Sequence, residues 1–170
     1  MKTLLGKVPE NMSEEEQSAY VTAKSQEIAH LYDDVVFPAL SAQAPEITAV
    51  YGGKEPAHTL RKNYIFAHSI GQQAIAIAVK AAEVQRPDEW KTIVSSGFSK
   101  INWEIGLPWE GIATIGGKMA NRRQNIQRTA ALIKAYLGLE LIDSEKHDLV
   151  TAKQQTMSER GWHIPASLVA

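Results

Sequence analysis

The stretch Ser69-Ile70-Gly71-Gln72-Gln73-Ala74-Ile75-Ala76-Ile77-Ala78-Val79-Lys80-Ala81-Ala82-Glu83-Val84 decides the fold class. Together with Leu60, Tyr64, Ala67 and His68 upstream, its apolar positions recur at helical spacing and predict one helix over His58–Val84. Alanine dominates the second half. Small side chains let neighbouring helices approach closely, which puts this element at the centre of a helical domain. Gly71 costs up to about 1 kcal/mol against alanine inside a helix, so its presence predicts a tight packing contact. Arg86-Pro87-Asp88 ends the helix.

Outward from this centre the pattern stays helical. Ser13 followed by Glu14, Glu15 and Glu16 is a capping box, and the acids suit the positive end of the helix dipole. That first helix is expected to reach Pro38 or a little beyond, with Ile28, Leu31, Tyr32, Val35 and Val36 inward. Pro45 and Gly52-Gly53 mark a loop. Asp88 is expected to cap a shorter helix near Glu89–Ser99, with Trp90, Ile93 and Phe98 inward. A third long helix is expected over Lys118–Leu137, lined by Met119, Ile126, Ala130, Ile133 and Leu137 and closed by Gly138. A last helix runs from Ser144 to about Arg160, before Pro165. Residues 101–117 break the pattern and read as a structured loop, rich in Trp and Gly, pinned by two buried indoles, with a short strand at Ile112–Ile115. The expected fold is mostly α, about five helices packed as one globular bundle. Its divisions are an N-terminal arm over 1–12, a helical core over 13–140, and a C-terminal helix and tail over 141–170.

The chain has 170 residues and no cysteine, which excludes a disulfide framework, a thiolate metal site and a cysteine nucleophile. Pro9 and Glu10 follow the start too closely for a signal peptide, and no apolar run is long enough for a membrane span, so a cytoplasmic protein without membrane contact is expected. The net charge is −1, yet residues 118–139 hold Lys118, Arg122, Arg123, Arg128 and Lys134 with no acid.

Catalytic signatures are missing. His30, His58, His68, His147 and His163 form no pair at metal-ligand spacing on one helix face. His68 reads as a satisfied core histidine. Gly111–Lys118 lacks the spacing and the hydroxyl of a phosphate loop. No metal or cofactor is expected. The better signal is Gly116-Gly117-Lys118 leading into a basic helix. Two glycines permit close backbone approach, and a helix N-terminus favours an anion. Cations there oppose the dipole by about 0.3–1 kcal/mol each, which calls for an anionic partner or an internal ion pair with the acidic first helix. At about 100° per residue, Arg123, Gln127 and Lys134 fall close together and Arg128 continues round the polar side, so these four are expected to face a partner. Arg122 falls on the buried flank and is expected to be an ion-paired organiser. Arg61-Lys62 opens the second helix as a further basic pair. The candidate nucleic-acid contacts are therefore Gly116, Gly117, Lys118, Arg122, Arg123, Gln127, Arg128, Lys134 and Arg61.

An ordered series of short motifs carries a family resemblance. Leu60-Arg61-Lys62-Asn63-Tyr64 through His68 comes first. Asp88-Glu89-Trp90, Ile101-Asn102-Trp103, Trp109-Glu110-Gly111, Gly116-Gly117-Lys118 through Asn125, and Ile133 through Leu139 follow. In order and spacing the series resembles the C-terminal half of DndB-like proteins, over about residues 13–140. The resemblance implies a role at a DNA-modification locus of the phosphorothioation type, as a DNA-binding regulatory or accessory protein; with catalytic signatures missing from the sequence, no catalysis of its own is expected. The matching positions include His68, Trp103 and Trp109. The Asp-Gly-Gln-His-Arg signature of the N-terminal half is absent, and the family's Asp-Trp-Ser-Arg run is Asn102-Trp103-Glu104-Ile105 here. A surface that packs on the missing half is then expected to meet a second copy or a separate partner. Two other readings stay open: a protein-interaction module whose basic helix docks an acidic surface, and an enzyme on modified nucleotides using His68 near Arg122.

Overall fold

The computed structural model describes residues 11–160. Most of the expected arm over 1–12, and the tail beyond Arg160 with its Pro165 and His163, lie outside the described residues.

Helix α1 spans Glu14–Leu31 and begins with the expected capping box. The Glu16 N–H donates to Ser13 Oγ at 3.3 Å, and the Ser13 N–H donates to the Glu16 carboxylate at 2.8 Å. A π turn over Tyr32–Val36 then leads straight into α2, Phe37–Ser41. Pro38 accounts for the wide turn: it has no N–H, and its ring would press on the carbonyl four residues back. The chain answers by bonding the Phe37 N–H to the Tyr32 carbonyl, one residue further back than an α-helix would. A short α3, Glu46–Tyr51, occupies a span that the sequence suggested was loop, anchored by buried Ile47.

The expected single helix over His58–Val84 is broken in two. Helix α4, His58–Asn63, is followed by a 3₁₀ turn at Ile65–Ala67 and then by α5, Ser69–Gln85. Tyr64 and His68, on either side of that turn, are extended. The cause is a competing backbone partner. The Ile65 N–H donates to the Trp103 carbonyl at 2.9 Å, and the Ile105 N–H donates to the Asn63 carbonyl at 2.7 Å. These two bonds clasp Tyr64 against Glu104 as an isolated antiparallel bridge. Gly71 is the tight contact expected of it: a Cβ there would fall on the Ile65 carbonyl and lie 2.8 Å from the Phe66 Cα.

Helix α6 spans Trp90–Phe98 and buries Val94 and Phe98. Asp88 does not cap it; Glu89 holds the N-cap position without a side-chain bond. The loop that follows is pinned as expected, with Trp103 and Trp109 at 1% and 0% exposure. Their indole N–H groups donate to the carbonyls of Phe98 (3.1 Å) and Asn102 (2.9 Å). The two rings stack at 5.7 Å, and Phe66 and Phe98 meet Trp103 edge-on. The loop ends in a two-stranded hairpin of β1, Thr114–Ile115, and β2, Lys118–Met119.

Helix α7 spans Arg123–Tyr136, so Lys118–Met119 belongs to the hairpin and not to the helix. Gly138, at φ 69°, closes it: the Leu139 N–H donates to the Lys134 carbonyl and the Gly138 N–H to that of Ala135. Helix α8, Asp143–Arg160, then turns back onto α7. Helices α5 and α7 are the central pair, flanked by α6 and α8, with α2 packed on α6. One contiguous core joins them.

Two measurements check this account. Gly71→Ala gains helix propensity yet must push the Ile65 backbone aside, so it should lower unfolding free energy in urea by about 1–3 kcal/mol; a neutral variant would contradict the contact. Burial, then the hydrogen bond to Glu46, push the Tyr64 phenol up to about 12. A raised folded-state value stabilises the fold fully below pH ~10, the ordinary tyrosine range, and the contribution is lost as pH rises toward 12. Stability should fall over that window, and Tyr64→Phe should flatten the fall.

Candidate nucleic-acid interface

The hairpin turn sets the first part of the site. Gly116 and Gly117 sit at φ 57° and 75°, the left-handed pair that a two-residue turn between twisted strands needs. Their N–H groups do not point to an open anion site. Both donate to the Glu110 carboxylate, which also accepts from Thr114 Oγ1 at 2.8 Å. Glu110 thus occupies the concavity that the glycines make. The pairing places Lys118 opposite Ile115, both exposed, while Thr114 points inward.

The start of α7 is fixed from beneath. Asn125 is buried, and its side-chain amide donates to the Ile112 carbonyl at 2.8 Å. Thr129 Oγ1 donates to the Asn125 carbonyl at 2.7 Å. The Ala120 N–H donates to the Ala113 carbonyl at 2.9 Å. With Asn125 facing inward, Arg122, Arg123 and Gln127 emerge at the surface, all exposed. Arg122 is the N-cap, in extended conformation, and offers no side-chain bond; the first turn carries no acid. Arg122 is therefore not the ion-paired organiser expected from helical angles, because the helix starts one turn later than the sequence suggested. Among the described residues no carboxylate lies within ion-pair distance of Lys118, Arg122 or Arg123.

The other end of the basic helix is covered. Lys134 is 7% exposed, and its ammonium holds both oxygens of Glu145 in α8 at 2.6 and 2.8 Å. Arg128 lies 3.9 Å from Asp148, with its Nε buried and unbonded. The expectation that Arg128 and Lys134 face a partner is corrected for this state: α8 lies over them. The pairing is internal, as one reading allowed, but with the last helix and not with the acidic first one. Arg61 is exposed on α4, apart from this helix in the chain order and in its cleft. His68 is half-buried, and its Nε2–H donates to the Arg61 carbonyl at 2.7 Å, the satisfied role expected of it.

Helical angles could not find Glu110, Glu145 or Asp148, because each acts across elements. Two signals were present. Gly-Gly between short apolar runs is a hairpin mark, and Glu145 and Asp148 sit three residues apart, on one face of the last helix. Among the described residues no group of three or more His, Asp or Glu could hold a metal ion, and no helix is long and apolar enough to cross a membrane.

A family model described as DndB, DNA-sulfur modification-associated, matches residues 2–140. No curated protein and no solved structure matches the chain. The match ends before α8, so the helix that covers Arg128 and Lys134 lies beyond it.

The ion pair to α8 is open to a direct check. Glu145→Ala leaves a buried ammonium unpaired and should cost about 3 kcal/mol, whereas Lys134→Met with Glu145→Leu should restore most of the loss. Charge reversal at exposed Arg122 or Arg123 should stay within about 0.5 kcal/mol. Chemical denaturation of the four variants reads both.

Proposed function

This chain belongs to the DndB family of DNA-sulfur modification-associated proteins, and from that membership we propose that it binds DNA as a regulatory or accessory protein of a modification locus, in the cytoplasm and without catalysis of its own. The observation that carries the reading is the open cationic cluster at the start of α7. Lys118, Arg122 and Arg123 are exposed and unpaired among the described residues, around a helix N-terminus that no side chain caps. The contrast with α1 is informative: there a serine cap and three glutamates meet the same electrostatic need internally. At α7 cations occupy positions where the helix dipole repels them, and a phosphate lying across the turn removes that repulsion while accepting hydrogen bonds. In this reading Gln127, one turn on and exposed, meets the sugar or a base edge.

A second reading has its own observation. Glu145 and Asp148 of α8 already pair with cations of α7, so an acidic protein surface would engage the open end of α7 in the same manner. Duplex competitor would displace DNA but not such a partner. In the enzymatic reading only Nδ1 of His68 would be left to act as a base, since its Nε2–H is committed to the Arg61 carbonyl.

Three open cations set the expected salt dependence. Log affinity for duplex should fall against log salt with a slope of about −2.7, measured by fluorescence anisotropy. Reversing Arg122 and Arg123 together should weaken binding and bring the slope toward about −1. Unchanged affinity and slope in that variant would remove the start of α7 from the interface.

A further inference from the structure

A second concave region lies beside the start of α5, the central partner of the basic helix. Two adjoining clefts, of about 240 and 620 Å³, are both lined by Tyr32, Phe37, Tyr51 and Gln72, between the π turn, α3, α4 and the start of α5. A site for a small organic group usually spans about 300–1,000 Å³. Its wall is aromatic: Phe37 meets Tyr32 at 5.5 Å and Tyr51 at 4.6 Å between ring centroids. Tyr51 is 63% exposed, an unusual place to leave a large ring with a free face. Polar residues of different chemistry line the two clefts. The larger cleft holds the carboxylate of Asp33, close enough that its charge, after burial, helps hold the Tyr51 phenol above its ordinary value. Arg61, whose carbonyl accepts from His68, lines the smaller. Gln72 lines both, and its amide makes no hydrogen bond among the described residues, nor does the phenol of Tyr32 or Tyr51.

Each of these groups matches one part of a nucleotide. The rings meet at 59° and 65° and so form no common plane, but the exposed face of Tyr51 can stack a base of any sequence. A carboxylate accepts from an exocyclic amino group, and an amide both donates and accepts on a base edge. A guanidinium takes the phosphate. A cationic ligand would suit the rings and Asp33 but not Arg61. We infer that this cleft receives a single unstacked nucleobase bearing an exocyclic amino group, its phosphate toward Arg61. The inference rests on the DNA reading above, which supplies the strand. It gives Arg61 a role that its distance in sequence from the basic helix left open. It also places base readout in the cleft and phosphate contact at α7.

The experiment compares three labelled duplexes with the full chain: fully paired, with one unpaired deoxyadenosine, and with one unpaired thymidine. The deoxyadenosine duplex should bind at least about fivefold more tightly than the paired one, and more tightly than the thymidine duplex. Tyr51→Ala and Gln72→Ala should each erase that gain and leave paired-duplex affinity unchanged, while Tyr51→Phe, which keeps the ring, should retain it. Both positions are exposed, so the folds should survive, as circular dichroism would show. Equal binding of paired and unpaired duplexes, or a gain that survives Tyr51→Ala, overturns the cleft assignment and leaves the DNA reading standing. Failure to bind any duplex overturns both.

Discussion

Two backbone hydrogen bonds hold the architecture in register: Ile65 N–H to the Trp103 carbonyl and Ile105 N–H to the Asn63 carbonyl. They interrupt what local propensity would make one long helix. In exchange they attach the tryptophan loop to the centre of the molecule. The loop then stacks Trp103 and Trp109 inside the core, and its last residues present the Ile112 carbonyl to Asn125. That bond fixes the start of α7 and turns Arg122 and Arg123 outward. A buried amide or carbonyl left without a partner costs about 1–3 kcal/mol, so each bond in this series constrains the next.

The electrostatics divide along the same helix. Five cations in residues 118–139 look equivalent in sequence. The fold separates them into an open group at the N-terminal end and a covered pair further along. The covered pair is unequal. Lys134 is matched by both oxygens of Glu145, while Arg128 meets Asp148 at the limit of an ion pair and leaves its Nε unbonded. Excess positive potential therefore concentrates at the hairpin and the first turn of α7, where Glu110 has already taken the glycine N–H groups. An anion bound there would be met by side chains and the helix end, not by a glycine cradle.

Much of the site was legible one element at a time. The capping box at Ser13 and the Gly138 closure were readable because each is a local motif whose bonds span a few residues. The burial of Trp103 and Trp109 was readable from their size and spacing. The basic character of α7 was readable as composition, but its starting residue was not. Lys118 can enter a helix or a strand with similar ease, and only pairing with Ile115 decides between them. That shift changed Arg122 from a buried organiser to an exposed cap.

By itself, the sequence determined that the protein is helical, that alanines make one helix central, and that a cationic helix follows a tryptophan- and glycine-rich loop. These properties follow from period, side-chain volume and charge, which need no knowledge of neighbours. Only the tertiary structure decided where the second helix breaks, which cations remain open, and that Tyr32, Phe37 and Tyr51 share one cleft with Arg61. Each of those outcomes depends on a bond or contact between residues far apart in the chain, and such a partner leaves no mark in local periodicity.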